Sequence, residues 1–304
     1  MKVAALDLGS NTFLCLIAEV ENSEITKVYA DHSEVVRLGQ DLSKSKSFHP
    51  DALSRADVCL QKFSELMKKE NPERILAMAT SAARDAINGE ELFKIAAKYS
   101  IPLEIIPGDR EAQITYQGAV SGKVDGLSGT MVIDIGGGST EIIFGRGKNL
   151  LAGKSFDIGC VRLTEKYITT QPTTVAEIMR ATSLIDQSLQ EAKLLQPSDF
   201  SIDQIIAVAG TPTSLAAAAI GGYKADLVDG YILDRARLND WFFRLSKANV
   251  EEKIEMGIPR GRADVILIGV IILLRTLIIF EKEQLNVSTR GVRYGVALEI
   301  FNRK

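Results

Sequence analysis

Asp134 and Glu141 bracket the run Gly136-Gly137-Gly138-Ser139, with apolar residues at 131–133 before it and 142–144 after it. Glycines let backbone N–H groups approach a phosphate without a Cβ in the way. A carboxylate at each end suits a divalent cation held beside that phosphate. The spacing superficially matches a dinucleotide-binding glycine fingerprint, but that fingerprint needs a helix after the glycines. Residues 141–144 read as a strand, so the glycines are expected in a hairpin. A second stretch, Asp7-Leu8-Gly9-Ser10-Asn11-Thr12, has the same design: Asp at a strand end, Gly two residues later and a hydroxyl five later.

Other candidates carry plainer readings. A lone Asp after a strand commonly caps a turn, and only the pairing of the two turns argues past that for Asp7 and Asp134. Glu111 falls in the first turn of a helix, where an acidic side chain stabilises the dipole anyway. Arg84 fits a surface ion pair with Asp85 or Glu111, the usual fate of a lone arginine. Gly210-Thr211-Pro212-Thr213 reads equally as a helix start or as a ligand-lining segment. Arg37, Arg110, Lys148 and Arg162 fit ordinary solvated faces better than an entry for a polyanion. His32 and His49 have no spaced partner and take no role.

The elements that must position these residues follow from periodicity. Strands are expected at 2–8, 13–20 and 25–30. A helix is expected at 50–69, where Leu53, Ala56, Leu60, Phe63, Leu66 and Met67 recur at helical spacing. A strand at 74–79, a helix at 90–99, a strand at 103–106 and a helix at 109–120 follow. Gly118, Gly122, Gly126 and Gly129 punctuate a linker. The order then repeats. Strands are expected at 130–134, 140–146 and 150–157, then helices through 159–195 broken at Pro172, then a strand at 204–209. A helical region runs to 280 with an ambiguous patch at 221–233, before a strand at 285–288 and a helix at 291–302. Each half therefore reads as three strands, helix, strand, helix, strand, helix. The fold expected is α/β, duplicated, with domains at 1–120 and 121–304 and the helix at about 291–304 packing back on the first. Two like halves facing each other enclose a cleft with a phosphate turn on each wall, and ligands favour such interfaces.

Bulk properties agree. A chain of 304 residues favours two domains, and 46% hydrophobic content supplies a core. Net charge is −3, so no global field draws in nucleic acid. Cys15, Cys59 and Cys160 are odd in number and widely spaced, which suggests reduced thiols in a cytoplasm. No signal-peptide pattern precedes the first strand. The apolar run at 265–274 is short for a bilayer and is expected as a buried helix at a domain or subunit interface.

Four blocks carry a family resemblance: residues 5–12, 79–86 (Ala-Thr-Ser-Ala-Ala-Arg-Asp-Ala), 107–112 (Pro-Gly-Asp-Arg-Glu-Ala) and 132–141. Weaker echoes run through 159–165, 209–213 and 261–266. Together they resemble the exopolyphosphatase/guanosine pentaphosphate phosphohydrolase (Ppx/GppA) family, within the wider actin-like ATPase, sugar kinase and Hsp70 fold. The resemblance implies two ribonuclease H-like (actin-like ATPase) domains facing an interdomain cleft. It implies Mg²⁺-dependent hydrolysis of a terminal phosphoanhydride of polyphosphate, with guanosine pentaphosphate as a second substrate, and a homodimer without nucleic-acid or membrane partners. Under that reading Glu111 orients and deprotonates the attacking water, and Arg84 contacts the phosphate. Ser10, Asn11, Gly136, Gly137, Gly138 and Ser139 hold its oxygens, and Asp134 and Glu141 bind Mg²⁺. Two features depart from the family: an additional C-terminal helical domain of its longer members is absent from this sequence, and Tyr294 stands where an acidic residue is usual. They bear on chain-length preference and processivity. Two other functions compete. An ATP-dependent small-molecule kinase of the same fold conflicts with a base poised for water. A non-catalytic sensor of guanosine tetra- or pentaphosphate conflicts with the joint presence of Arg84, Glu111, Asp134 and Glu141.

Overall fold

The computed structural model describes residues 1–122 and 128–303. The chain divides into two compact units, Met1–Val124 with Arg290–Lys304, and Asp125–Thr289. Gly126, one of the expected linker glycines, lies outside the described residues.

In the first unit β1 (Lys2–Leu8), β2 (Thr12–Glu21) and β3 (Glu24–Val35) form an antiparallel meander. Next come α1 (Leu42–Ser45), α2 (Pro50–Glu70), β4 (Arg74–Ala79), α3 (Ser81–Asp85), α4 (Glu90–Lys98), β5 (Leu103–Ile105) and α5 (Gly108–Val120). The sheet order is β3-β2-β1-β4-β5, with β4 parallel to β1 and β5 parallel to β4. β1 is apolar throughout because its alternating side chains enter two cores. Ala4, Leu6 and Leu8 pack with Leu60 and Phe63 of α2, while Val3 and Ala5 pack with Ile114 of α5. Pro50 opens α2 behind a capping His49, and Asn71 closes it in the left-handed conformation.

The second unit comprises β6 (Gly129–Ile135), β7 (Thr140–Arg146), β8 (Asn149–Phe156), α6 (Cys160–Tyr167), α7 (Val175–Lys193) and β9 (Gln204–Val208). It continues through α8 (Gly210–Ala219), α9 (Ala225–Val228), β10 (Ile232–Asp234), α10 (Arg235–Lys247), α11 (Val250–Glu255), α12 (Ile266–Ile279) and β11 (Gln284–Val287). Its sheet order is β10-β11-β9-β6-β7-β8. Without β10, the order β8-β7-β6-β9-β11 repeats the first sheet strand for strand and direction for direction. β10 lies in the patch that periodicity left ambiguous. Three residues are too few to show a period, and the strand exists because it pairs antiparallel with β11.

α12 carries the long apolar run, and nearly all of its side chains lie in the second unit's own core. Arg275, on the same helix, makes a bidentate pair with Asp186 of α7 at 2.6 and 2.8 Å. Among the described residues no helix is long and apolar enough to cross a membrane.

The final helix, α13 (Val292–Asn302), belongs to the first unit and packs on α5 and β1. The crossing of α5 and α13 is made by backbone. A Cβ on Gly118 would stand 2.2 Å from Gly291 O, and one on Gly295 would stand 2.0 Å from Ile114 O. Gly118 is therefore a packing glycine inside α5 and not part of a linker, and Gly129 is the first residue of β6. Charges fix the same helix: Arg110 of α5 bonds Glu299 of α13, Arg303 just after α13 grips Glu104 of β5 at 2.5 and 2.9 Å, and Arg293 of α13 grips Asp31 of β3 at 2.7 and 2.8 Å. Gly295→Ala is expected to destabilise by roughly 1–3 kcal/mol or more, because packed backbone yields little to an added methyl. Urea unfolding checks this as a lower midpoint at unchanged slope.

Candidate functional site

In the first unit the turn after β1 is held from two sides. Ser10 Oγ lies 3.1 Å from Ser81 Oγ and accepts from Ala82 N at 3.2 Å. The segment after β3 holds the turn's carbonyls: Gly39 N donates to Ser10 O at 2.8 Å, and Val36 N and Arg37 N donate to Asn11 O at 3.0 and 2.8 Å. In a trans peptide the C=O and N–H point opposite ways. Securing Ser10 O therefore aims the Asn11 N–H to the far side of the turn. Ser10 and Asn11 are both buried.

Arg84, at the end of α3, reaches Glu111, in the first turn of α5. Its Nη1 donates to Glu111 Oε2 at 2.7 Å and to Ile106 O at 2.8 Å. Dipole stabilisation at a helix start works at an exposed position, whereas the Glu111 side chain is only 7% exposed. Burial raises the Glu111 pKa above its ordinary value, and the Arg84 charge, the Arg84 hydrogen bond and the Thr80 hydroxyl draw it partly back. A carboxyl group whose pKa is raised by burial, with a named cation beside it, marks a functional-site candidate.

In the second unit β6 and β7 are joined by the glycine turn, and their register sets Asp134 directly opposite Glu141. Opposed residues on adjacent strands have side chains on the same face, about 5 Å apart. Both carboxylates are buried, and Ser155 Oγ donates to Glu141 Oε1 at 2.6 Å. The turn itself is oriented by α6. Cys160 N donates to Gly136 O at 3.0 Å, and Val161 N and Arg162 N donate to Gly137 O at 2.9 and 3.0 Å. Gly138 O accepts from Gly159 N at 3.3 Å and from Arg162 Nε at 2.7 Å. With three successive carbonyls turned to α6, the N–H groups of Gly137, Gly138 and Ser139 face the other way as an anion cradle. The Gly136 N–H is spent on closing the turn, donating to Ser139 O at 3.0 Å. Gly159 permits this approach, since a Cβ there would stand 2.3 Å from Gly137 O.

The donor set fits magnesium. Among the described residues no three His, Cys, Asp or Glu side chains cluster as a metal cage. Mg²⁺ takes one or two carboxylates, keeps several waters and completes its shell with phosphate oxygens. Opposed like charges repel, and a cation beside Asp134 and Glu141 relieves that repulsion.

Arg162, expected on an ordinary solvated face, instead backs the second turn through Gly138 O, and Arg262 lies over the start of α8. The Arg262 guanidinium lies so close over Gly210 that a Cβ there would stand 1.7 Å from its Cζ, and its charge acts on Cys160 at the start of α6. Neither contact has a signal at short sequence range. Gly210-Thr211-Pro212-Thr213 opens α8 behind Ala209, whose φ of 70° and ψ of −165° is strained for a residue with a side chain. Arg110 is taken up by Glu299 and Gln113, and His49 caps α2.

Two sheets of one topology, each with a hydroxyl-bearing glycine turn after its first strand, define an α/β protein of the actin-like ATPase fold with two domains. The family model described as the Ppx/GppA phosphatase family matches residues 16–304. Exopolyphosphatase 2 of Mycobacterium tuberculosis is 33% identical over 318 residues, covering 98% of this chain and 98% of that protein. The guanosine-5'-triphosphate,3'-diphosphate pyrophosphatase of Photobacterium profundum is 28% identical over 304 residues, covering 99% of this chain and 59% of that protein. The crystal structure of the Aquifex aeolicus member of the Ppx/GppA protein family superposes with a TM-score of 0.82 at 28% identity, covering 100% of this chain and 99% of that one. This chain belongs to the Ppx/GppA phosphatase family.

Proposed function

We propose that the protein hydrolyses the terminal phosphoanhydride bond of inorganic polyphosphate in a Mg²⁺-dependent reaction, with guanosine pentaphosphate as a second substrate of the same machinery. The observation that carries this reading is the Arg84–Glu111 pair, a buried carboxyl with a raised pKa beside a guanidinium suited to phosphate. The printed names of the M. tuberculosis and P. profundum relatives support the two substrate classes.

Hydrolysis needs the terminal phosphoryl group held in line with a water, its charge offset as the bond to the leaving oxygen breaks. The N–H groups of Gly137, Gly138 and Ser139, with the Ser139 hydroxyl, hold phosphoryl oxygens. In the first unit the Asn11 N–H and side chain are the donors assigned to phosphate. Arg84 donates to the phosphate and offsets developing charge. Glu111 accepts a hydrogen bond from the attacking water and takes its proton as the new P–O bond forms. Asp134 and Glu141 hold Mg²⁺, which when bound neutralises phosphate charge. Three buried free thiols suit a reducing compartment, and we place the protein in the cytoplasm.

The test is phosphate release from short polyphosphate, long polyphosphate and guanosine pentaphosphate, with and without Mg²⁺. Release without any acceptor, abolished by chelation, is expected. Transfer from ATP to a small-molecule acceptor with no free phosphate would replace this reading by a kinase. Tight guanosine pentaphosphate binding without turnover would replace it by a sensor.

A further inference from the structure

We infer that Arg55 is a positioning residue for the phosphate turn of the first unit, acting through the segment 36–40. The inference rests on the phosphate-handling role proposed above for Ser10 and Asn11. Arg55 lies on α2, far in sequence from the turn, and its hydrogen bonds go to carbonyls and an amide, not to a carboxylate. Its Nε donates to Val36 O at 2.6 Å, and its Nη2 donates to Gln40 Oε1 at 2.7 Å and to Arg37 O at 3.4 Å. The same segment turns its N–H groups the other way. Val36 N, Arg37 N and Gly39 N hold Asn11 O and Ser10 O. One guanidinium therefore secures the outer edge of a segment whose inner edge secures both turn carbonyls, and through their peptide planes Ser10 O aims the Asn11 N–H and Asn11 O aims the Thr12 N–H.

Three further features mark the segment as held in place. Arg37 has φ 53°, a left-handed conformation that strains a residue with a side chain. That conformation lets its N–H face Asn11 while its carbonyl faces Arg55. Gly39 lies tight against the turn, since a Cβ there would stand 3.3 Å from Ser10 Cβ. Val36 and Leu38 anchor the segment in the core, so its ends have little freedom once Arg55 is bonded. The planar fork of arginine serves three acceptors at once. A lysine ammonium is a point donor and does not.

The experiment compares wild type with Arg55→Met and Arg55→Lys. It measures kcat and KM for polyphosphate, calorimetric affinity for inorganic phosphate, the acid limb of the pH–rate profile and the urea midpoint. A displacement of about 1 Å in a substrate-positioning group costs up to about 100-fold. Arg55→Met is therefore expected to lose roughly tenfold or more in both kcat/KM and phosphate affinity, with Arg55→Lys in between. The acid limb stays in place, because Glu111 sits on another element. A purely structural role would lower the urea midpoint while kcat/KM and phosphate affinity per folded molecule stay at wild-type values, and that result overturns the inference. If Arg55→Met does not fold, Arg55→Lys decides by the same criteria. Should wild type release no phosphate from any substrate, the proposed function fails, and phosphate affinity still judges Arg55.

Discussion

Replacing Glu111 by alanine is expected to lower kcat by roughly 10²- to 10⁴-fold, the range general-base catalysis supplies, while polyphosphate binding is largely retained. Binding is kept because the donors assigned to phosphate lie elsewhere, on the two turns and Arg84. Arg84 donates to Glu111 at 2.7 Å, so the pH profile carries more information than the rate alone. The base works deprotonated, and burial lifts its pKa above the ordinary 4.5. The acid limb of kcat/KM should therefore fall above 4.5. Arg84 pulls that pKa down, so Arg84→Met should move the limb to still higher pH as well as slow turnover. Stability follows with the opposite sense to a salt-bridged surface carboxylate. A group whose folded pKa is raised contributes stability below its unfolded pKa and loses it as pH rises through the folded value. Glu111→Gln should thus remove the loss of stability that sets in as pH rises from 4.5 through the raised folded value, while lowering turnover as Glu111→Ala does. Steady-state rates and thermal melts across pH check both statements, and unchanged turnover in Glu111→Ala rejects the base assignment.

Asp134→Asn is expected to raise the Mg²⁺ concentration for half-maximal activity by about tenfold or more and to lower kcat at saturation. The amide keeps the shape of the side chain and its place opposite Glu141, but removes one of two anionic oxygen donors from a hard cation. Glu141→Gln should behave alike. Ser155→Ala should be milder, no more than about tenfold in Mg²⁺ affinity, the low end of what loss of a ligand's support costs, since Ser155 orients Glu141 without binding the metal itself. Calorimetric titration with Mg²⁺ reads the effect independently of turnover. A magnesium titration unaltered in Asp134→Asn would count against the metal role.

Both experiments rest on residues that were legible to very different degrees. The opposition of Asp134 and Glu141 follows from the local pattern: two apolar strands and a glycine hairpin leave one register, and a period of two puts both carboxylates on one face. The duplication was legible for the same reason, because element order and turn design recur within short windows. The pairing of Arg84 with Glu111 was not legible in this way. The two lie on different helices, and the residues alone offered Asp85 and Glu111 equally as partners of Arg84.

By itself, the sequence determined the strand and helix order, the two phosphate turns and the carboxylates that flank the second. These depend on periodicity, glycine freedom and turn chemistry, all set by neighbours in the chain. The tertiary structure decided which face of each turn offers N–H groups, because α6 and the segment 36–40 hold the carbonyls from a distance. It made Gly118 and Gly295 packing residues, since the backbone each must admit belongs to the other helix. It also decided the surroundings of Glu111: distant side chains remove water from this first-turn glutamate and place Arg84 against it. Burial and partner charge depend on residues far away in the chain, and no local pattern encodes them.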